Sequence, residues 1–130
     1  MSGNARPPVG AIGWLDLTVP DAGPVRDFYA GVVGWTPAPV PMDDYEDFAM
    51  LTADGEPAAG VCHARGSNAG MPPQWLAYVT VENLEASMAK CRELGGEVVE
   101  GPRGLGDFGT FCVVKDPAGA VLAIVEPPSE

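Results

Sequence analysis

The sequence predicts an α+β fold in which two βαβββ modules form an eight-stranded mixed sheet around a cavity. The first observation is an internal repeat. Leu15-Asp16-Leu17-Thr18-Val19-Pro20-Asp21 is matched by Ala77-Tyr78-Val79-Thr80-Val81-Glu82-Asn83, an offset of 62 residues between Asp21 and Asn83. Each copy runs from an alternating apolar strand into an acidic or amide cap, then a stretch of helical period, then a glycine stop. The second observation is size: 130 residues, 46% of them hydrophobic, suffice to bury one core without disulfides. A module of this kind exposes a sheet face that it cannot bury alone, and pairing two such faces creates a cavity.

Residues 11–19 alternate, with Leu15, Leu17 and Val19 on one face and Trp14, Asp16 and Thr18 on the other, which predicts a half-buried strand. Asp21 is placed to cap the next helix, with Pro24 in its first turn. Val25, Phe28, Tyr29 and Val32 share a helical face expected to pack on Leu15, and Gly34 ends the helix. Pro37, Pro39 and Pro41 precede the acidic run Asp43 to Asp47. Phe48 to Leu51 and Ala58 to His63 form a hairpin around Asp54-Gly55. The second copy has a strand from Trp75 to Val81, with Trp75 expected against the second helix. Asn83 caps that helix, which carries Leu84, Met88, Cys91 and Leu94 on one face. A short strand at Glu97 to Glu100, a glycine-rich loop at Gly101 to Gly106 and a strand at Phe108 to Lys115 follow. The turn Asp116-Pro117-Ala118-Gly119 and a last strand, Val121 to Val125, complete it. The organisation is a flexible arm at residues 1–10 and one domain at 11–127. Module one spans 11–64, a linker 65–73 and module two 74–127.

A net charge of −11 argues against nucleic acid and anionic membrane surfaces as partners. No segment approaches the ~20 apolar residues of a membrane span, and the N-terminus lacks the apolar stretch of a signal peptide. Cys62, Cys91 and Cys112 have no metal-type spacing and are odd in number, which suits a reducing cytoplasm.

Phe28-Tyr29 with Gly34-Trp35, Leu94-Gly95-Gly96 and Asp116-Pro117-x-Gly119 stand in an order and spacing that resembles the vicinal oxygen chelate superfamily. That group holds the glyoxalases, bleomycin-resistance proteins and extradiol dioxygenases. The resemblance runs from Ile12 to Pro127 and is nearest to actinobacterial glyoxalase-like proteins of unassigned activity. It implies metal ligands at the first and last strands of each module. Counting from the Asp21, Asn83 and Asp116-Pro117 elements, those positions fall on Trp14, Leu76 and Ala123, with the fourth expected at Ala59 or Val61. None of these side chains coordinates a divalent cation, so no metal and no other cofactor is expected.

The expected ligand-binding face therefore holds Trp14, Asp16, Thr18, Phe48, Met50, Val61, His63, Leu76, Tyr78 and Ala123. It is apolar and aromatic with a few polar groups, as small-molecule sites are. Asp16 lies among apolar neighbours, where an unpaired carboxylate costs several kcal/mol. It is a structural hydrogen-bonding group, an anchor for a cationic or hydroxylated ligand, or a general acid–base group acting with Tyr78, its counterpart in the repeat. The expected function is metal-independent binding of a small molecule, sequestering or carrying a natural product or drug-like compound. The alternatives are a metal-independent isomerase, lyase or cyclase using Asp16 and Tyr78, and a metal-dependent lyase or dioxygenase. A homodimer is expected because open sheet edges invite pairing.

Overall fold

Alternation along the first strand decides the layering. In the computed structural model, which describes residues 6–129, β1 (Ile12–Val19) turns Leu17 and Val19 towards the first helix. Trp14, Asp16 and Thr18 point to the opposite side, as period-two geometry requires. The order continues α1 (Ala22–Val33), β2 (Thr36–Pro41), β3 (Glu46–Leu51), β4 (Pro57–His63), β5 (Trp75–Thr80), α2 (Leu84–Glu93), β6 (Glu97–Gly104), β7 (Thr110–Lys115) and β8 (Val121–Glu126). The result is an eight-stranded mixed sheet with two helices, an α+β fold.

The chain divides into two compact units. One is Trp14–Trp75, and the other joins Leu76 onwards to the N-terminal segment ending at Gly13. In the first unit the strands run β2-β3-β4-β1, with β1 and β4 parallel and the remaining pairs antiparallel. In the second they run β6-β7-β8-β5, with β5 and β8 parallel and the rest antiparallel. The sequence repeat is thus a repeat of topology.

Each unit builds its core between one helix and one sheet face. Ala22, Phe48, Met50 and Val61 are buried in the first, with Val19, Val25, Tyr29, Trp35 and Trp75 packed on them. Leu84, Met88, Cys112 and Ile124 do the same in the second, flanked by Val79, Val81, Val98 and Val114. Helix α1 ends as expected at Gly34, whose φ of 89° is open to glycine without strain. Asn83 Oδ1 accepts the Ala86 N–H at 2.8 Å, capping α2. Glu126 Oε1 accepts the Leu84 N–H at 2.7 Å, placing a carboxylate at the positive end of that helix.

Several expectations change. Asp21 occupies the cap position of α1, but its side chain makes no capping bond. Phe28 and Val32 are 57% and 66% exposed, and Leu15 is 42% exposed, so the helix packs through Val25 and Tyr29 instead. Trp75 joins the α1 core rather than that of α2, donating its indole N–H to Tyr29 Oη at 2.9 Å. The proline run is a strand. Prolines alternate in β2 opposite Met50, Phe48 and Glu46, which a ladder tolerates only when their missing N–H groups face away from β3. Strand β6 continues to Gly104, where a loop was expected. The arm expected to be flexible is tied from Arg6 onwards: Arg6 Nη2 donates to the Pro127 carbonyl at 3.3 Å, and Gly10 and Ala11 pair with Thr80. Residues 1–5 of that arm lie outside the described residues.

Candidate functional site

Strand register decides which side chains share a face. In the first unit Asp16 stands beside Gly60 and Thr18 beside Cys62 across the parallel β1–β4 pair. Ala49 lies opposite Gly60 on β3. The helix-free face therefore carries Trp14, Asp16, Thr18, Asp47, Gly60 and Cys62. The missing side chain at Gly60 lets the Trp14 indole lie over β4. A Cβ there would stand 3.2 Å from Asp16 Cβ and 3.5 Å from Trp14 Cζ2. Thr18 is buried, and Trp14 and Asp16 are half-buried. Asp16 is not left without a partner, as its position demands.

Asp47 is a buried carboxylate, 6% exposed. Its Oδ1 accepts the His63 backbone N–H at 2.8 Å and lies 3.4 Å from His63 Nδ1. The Cys62 thiol hydrogen-bonds the same carboxylate. Burial first, then the charges of Asp16 and Asp47, push that thiol far above its ordinary range. Cys62 is accordingly a hydrogen-bond donor at neutral pH and not a thiolate nucleophile.

In the second unit Tyr78 stands beside Ala123, and Ala123 opposite Val113. With Leu76 these residues lie on the side away from α2, and all are buried. The Tyr78 ring is 5.7 Å from Phe111. The Arg103 guanidinium lies 5.1 Å from the Phe111 ring centre and donates to Glu100 Oε1 at 2.7 Å.

Of the residues expected together in the first unit, Trp14, Asp16 and Thr18 share a face, whereas Phe48, Met50 and Val61 do not. Those three have the opposite strand parity and fill the core beneath α1. His63 sits at the end of β4, held by Asp47 and flanked by Tyr45 and Phe48. Gly60, Asp47, Arg103 and Phe111 were not anticipated as site residues. Gly60 was not legible from the repeat, because the 62-residue offset carries Ala123 onto Val61; the strand registers alone pair Gly60 with Asp16 as they pair Ala123 with Tyr78. The fourth position implied by the resemblance is therefore Gly60, not Ala59 or Val61. An indole, a glycine and two alkyl side chains supply no donor, so these positions do not fit a divalent cation. Among the described residues no group of three or more His, Cys, Asp or Glu is arranged to hold a metal elsewhere.

On the helix side of the first unit, Leu17, Val25, Phe28, Tyr29 and Trp75 line an open apolar groove of about 490 Å³. No helix among the described residues is long and apolar enough to cross a membrane.

Residues 11–124 match the profile of the Glyoxalase/Bleomycin resistance protein/Dioxygenase superfamily. The chain is 30% identical over 127 residues to the anthracycline biosynthesis protein DnrV of Streptomyces peucetius, covering 88% of this chain and 46% of that protein. It is 31% identical over 118 residues to CFP32 of Mycobacterium tuberculosis, covering 88% and 45%. The chain thus spans a little under half the length of these curated relatives. Among solved structures, methylmalonyl-CoA epimerase of Streptomyces coelicolor shares the fold, at 14% identity and a TM-score of 0.55 over 94% of this chain and all of that one.

Proposed function

The chain belongs to the Glyoxalase/Bleomycin resistance protein/Dioxygenase superfamily, and from that premise we propose that it binds a small, planar, at least partly aromatic molecule without a metal ion. The observation that carries this reading is the Trp14 indole laid over Gly60 beside Asp16. A half-buried indole offers a stacking surface, and the neighbouring carboxylate favours a cationic or hydroxylated ligand. The anthracycline biosynthesis role in the names of two relatives supports a polycyclic aromatic compound as the ligand class. Binding of this kind suits sequestration or carriage of a natural product. We propose a homodimer as the working state, tested by sedimentation at micromolar concentration.

The test is titration of the chain with a polycyclic aromatic compound that carries an amine, followed by tryptophan fluorescence and calorimetry. Asp16→Asn is near-isosteric, and loss of a charge-assisted hydrogen bond costs ~1.5–3 kcal/mol, about 10- to 150-fold in affinity. Trp14→Leu should weaken binding and remove the quenching. If both variants bind as the parent does, the reading fails. If Asp16→Asn and Tyr78→Phe bind normally but abolish turnover of a bound compound, the chain is a metal-independent isomerase or lyase instead.

A further inference from the structure

Helix α1 carries more apolar surface than its own sheet buries. Val25, Phe28 and Val32 follow one another at i, i+3 and i+7, so they share a flank. Val25 and Tyr29 pack on the core, whereas Phe28 stays 57% and Val32 66% exposed, with Val33 at 51%. Beside this flank the open groove of about 490 Å³ runs over Leu17 and Trp75, wholly within the unit Trp14–Trp75. The patch thus sets projecting apolar side chains next to an apolar concavity of its own.

Charge selects what can cover it. The chain carries 18 acidic against 7 basic residues, yet none of the side chains lining the groove is charged. Between Ala22 and Val33 the charged residues are Arg26 and Asp27, which pair with each other at 2.9 Å. A basic partner is drawn to acidic surface and gains nothing at a neutral one. A second copy, itself at −11, is repelled by the first, and the repulsion is least where neither brings unpaired charge. The outer strand of this unit is a poor alternative for it. Pro37, Pro39 and Pro41 in β2 have no N–H to offer a further strand.

We infer that this flank is the surface on which a second copy of the chain docks, α1 against α1 about a two-fold axis. In such an isologous contact the same patch serves both copies. Phe28 and Val32 of each enter the groove over Leu17 and Trp75 of the other. Phe28 is the anchor, as buried aromatic side chains are at interface centres, and burial of apolar surface is the driving force. The net charges still oppose association, so salt strengthens the contact by screening them. The inference rests on the homodimer proposed above and gives it a surface. It leaves Trp14, Asp16 and Gly60 untouched, because they lie on the helix-free face of the sheet.

The test is sedimentation velocity of the full chain from nanomolar to high-micromolar concentration, at low and at high salt, with circular dichroism and thermal melts to check folding. The parent should dimerise, and more tightly at high salt. Phe28→Glu and Val32→Glu should fold as the parent does while weakening the dimer roughly 30-fold or more, the effect of losing an interface anchor. Phe108→Glu, at a position 73% exposed in the other unit, should stay dimeric. Should Phe28→Glu fail to fold, Val32→Glu carries the test. A dimer that persists in both α1 variants overturns the inference and leaves the homodimer standing on another surface. A dimer that dissociates at high salt is held by ion pairs and overturns it equally. A parent that is monomeric throughout removes both the inference and the homodimer. If that monomer binds anilinonaphthalene sulfonate and Phe28→Glu does not, the groove is a small-molecule site instead.

Discussion

Gly60 shows how one absent side chain sets a surface. Its would-be Cβ lies 3.2 Å from Asp16 Cβ, tighter than ordinary contact, and 3.5 Å from the Trp14 ring. Gly60→Val should displace the indole, cost ~1–3 kcal/mol through overpacking and change tryptophan emission. Chemical denaturation and fluorescence measure both effects. Cys62 and Cys112 govern behaviour in alkali. Burial pushes the Cys112 thiol up to about 11, and burial with the Asp16 and Asp47 charges pushes that of Cys62 further. The folded chain then holds protons that the unfolded chain releases once pH passes the ordinary thiol value near ~8.5. Stability from these groups is complete below that pH and falls as pH rises through the folded values. Denaturant midpoints at pH 7 and pH 10 should show the decline, and it should be smaller in Cys62→Ala. Parity along β1 made Trp14, Asp16 and Thr18 legible as one face. The Asp47–His63 contact, between residues 16 apart in sequence, was not, because no local period relates the end of β4 to the start of β3.

At the scale of elements, the two helix starts look alike in sequence but differ in bonding. Asn83 caps α2 through its side chain, and Asp21 makes no such bond to α1. Asn83→Ala should cost ~1 kcal/mol, while Asp21→Ala should stay within about 0.5 kcal/mol; paired thermal melts distinguish them. The prolines of β2 protect an outer strand. It pairs only with β3 in the first unit, and alternate prolines deny its other side the donors that a second chain would pair with. Replacing Pro37, Pro39 and Pro41 by Thr should preserve the β2–β3 ladder and raise aggregation, as light scattering would record. That strand was missed because three prolines in six residues argue locally against a strand, and only an edge position makes them admissible.

For the whole molecule, the donor chemistry at the four repeat-related strand positions makes a further prediction. Equilibrium dialysis against micromolar zinc, nickel or manganese should show no stoichiometric uptake; one ion per chain, lost in His63→Gln, would overturn the assignment of those positions. The sequence by itself determined the repeat, the α+β class, most turns and the two faces of β1. Those are short-range properties, written in periods of 2 and 3.6 residues and in turn chemistry. Tertiary structure decided what those periods leave open. The parallel register of β1 on β4 brought Gly60 rather than Val61 beside Asp16, and packing sent Phe48, Met50 and Val61 beneath α1. Parity divides one strand into two faces, but only the register between strands and the helix laid across them says which residues of different strands meet.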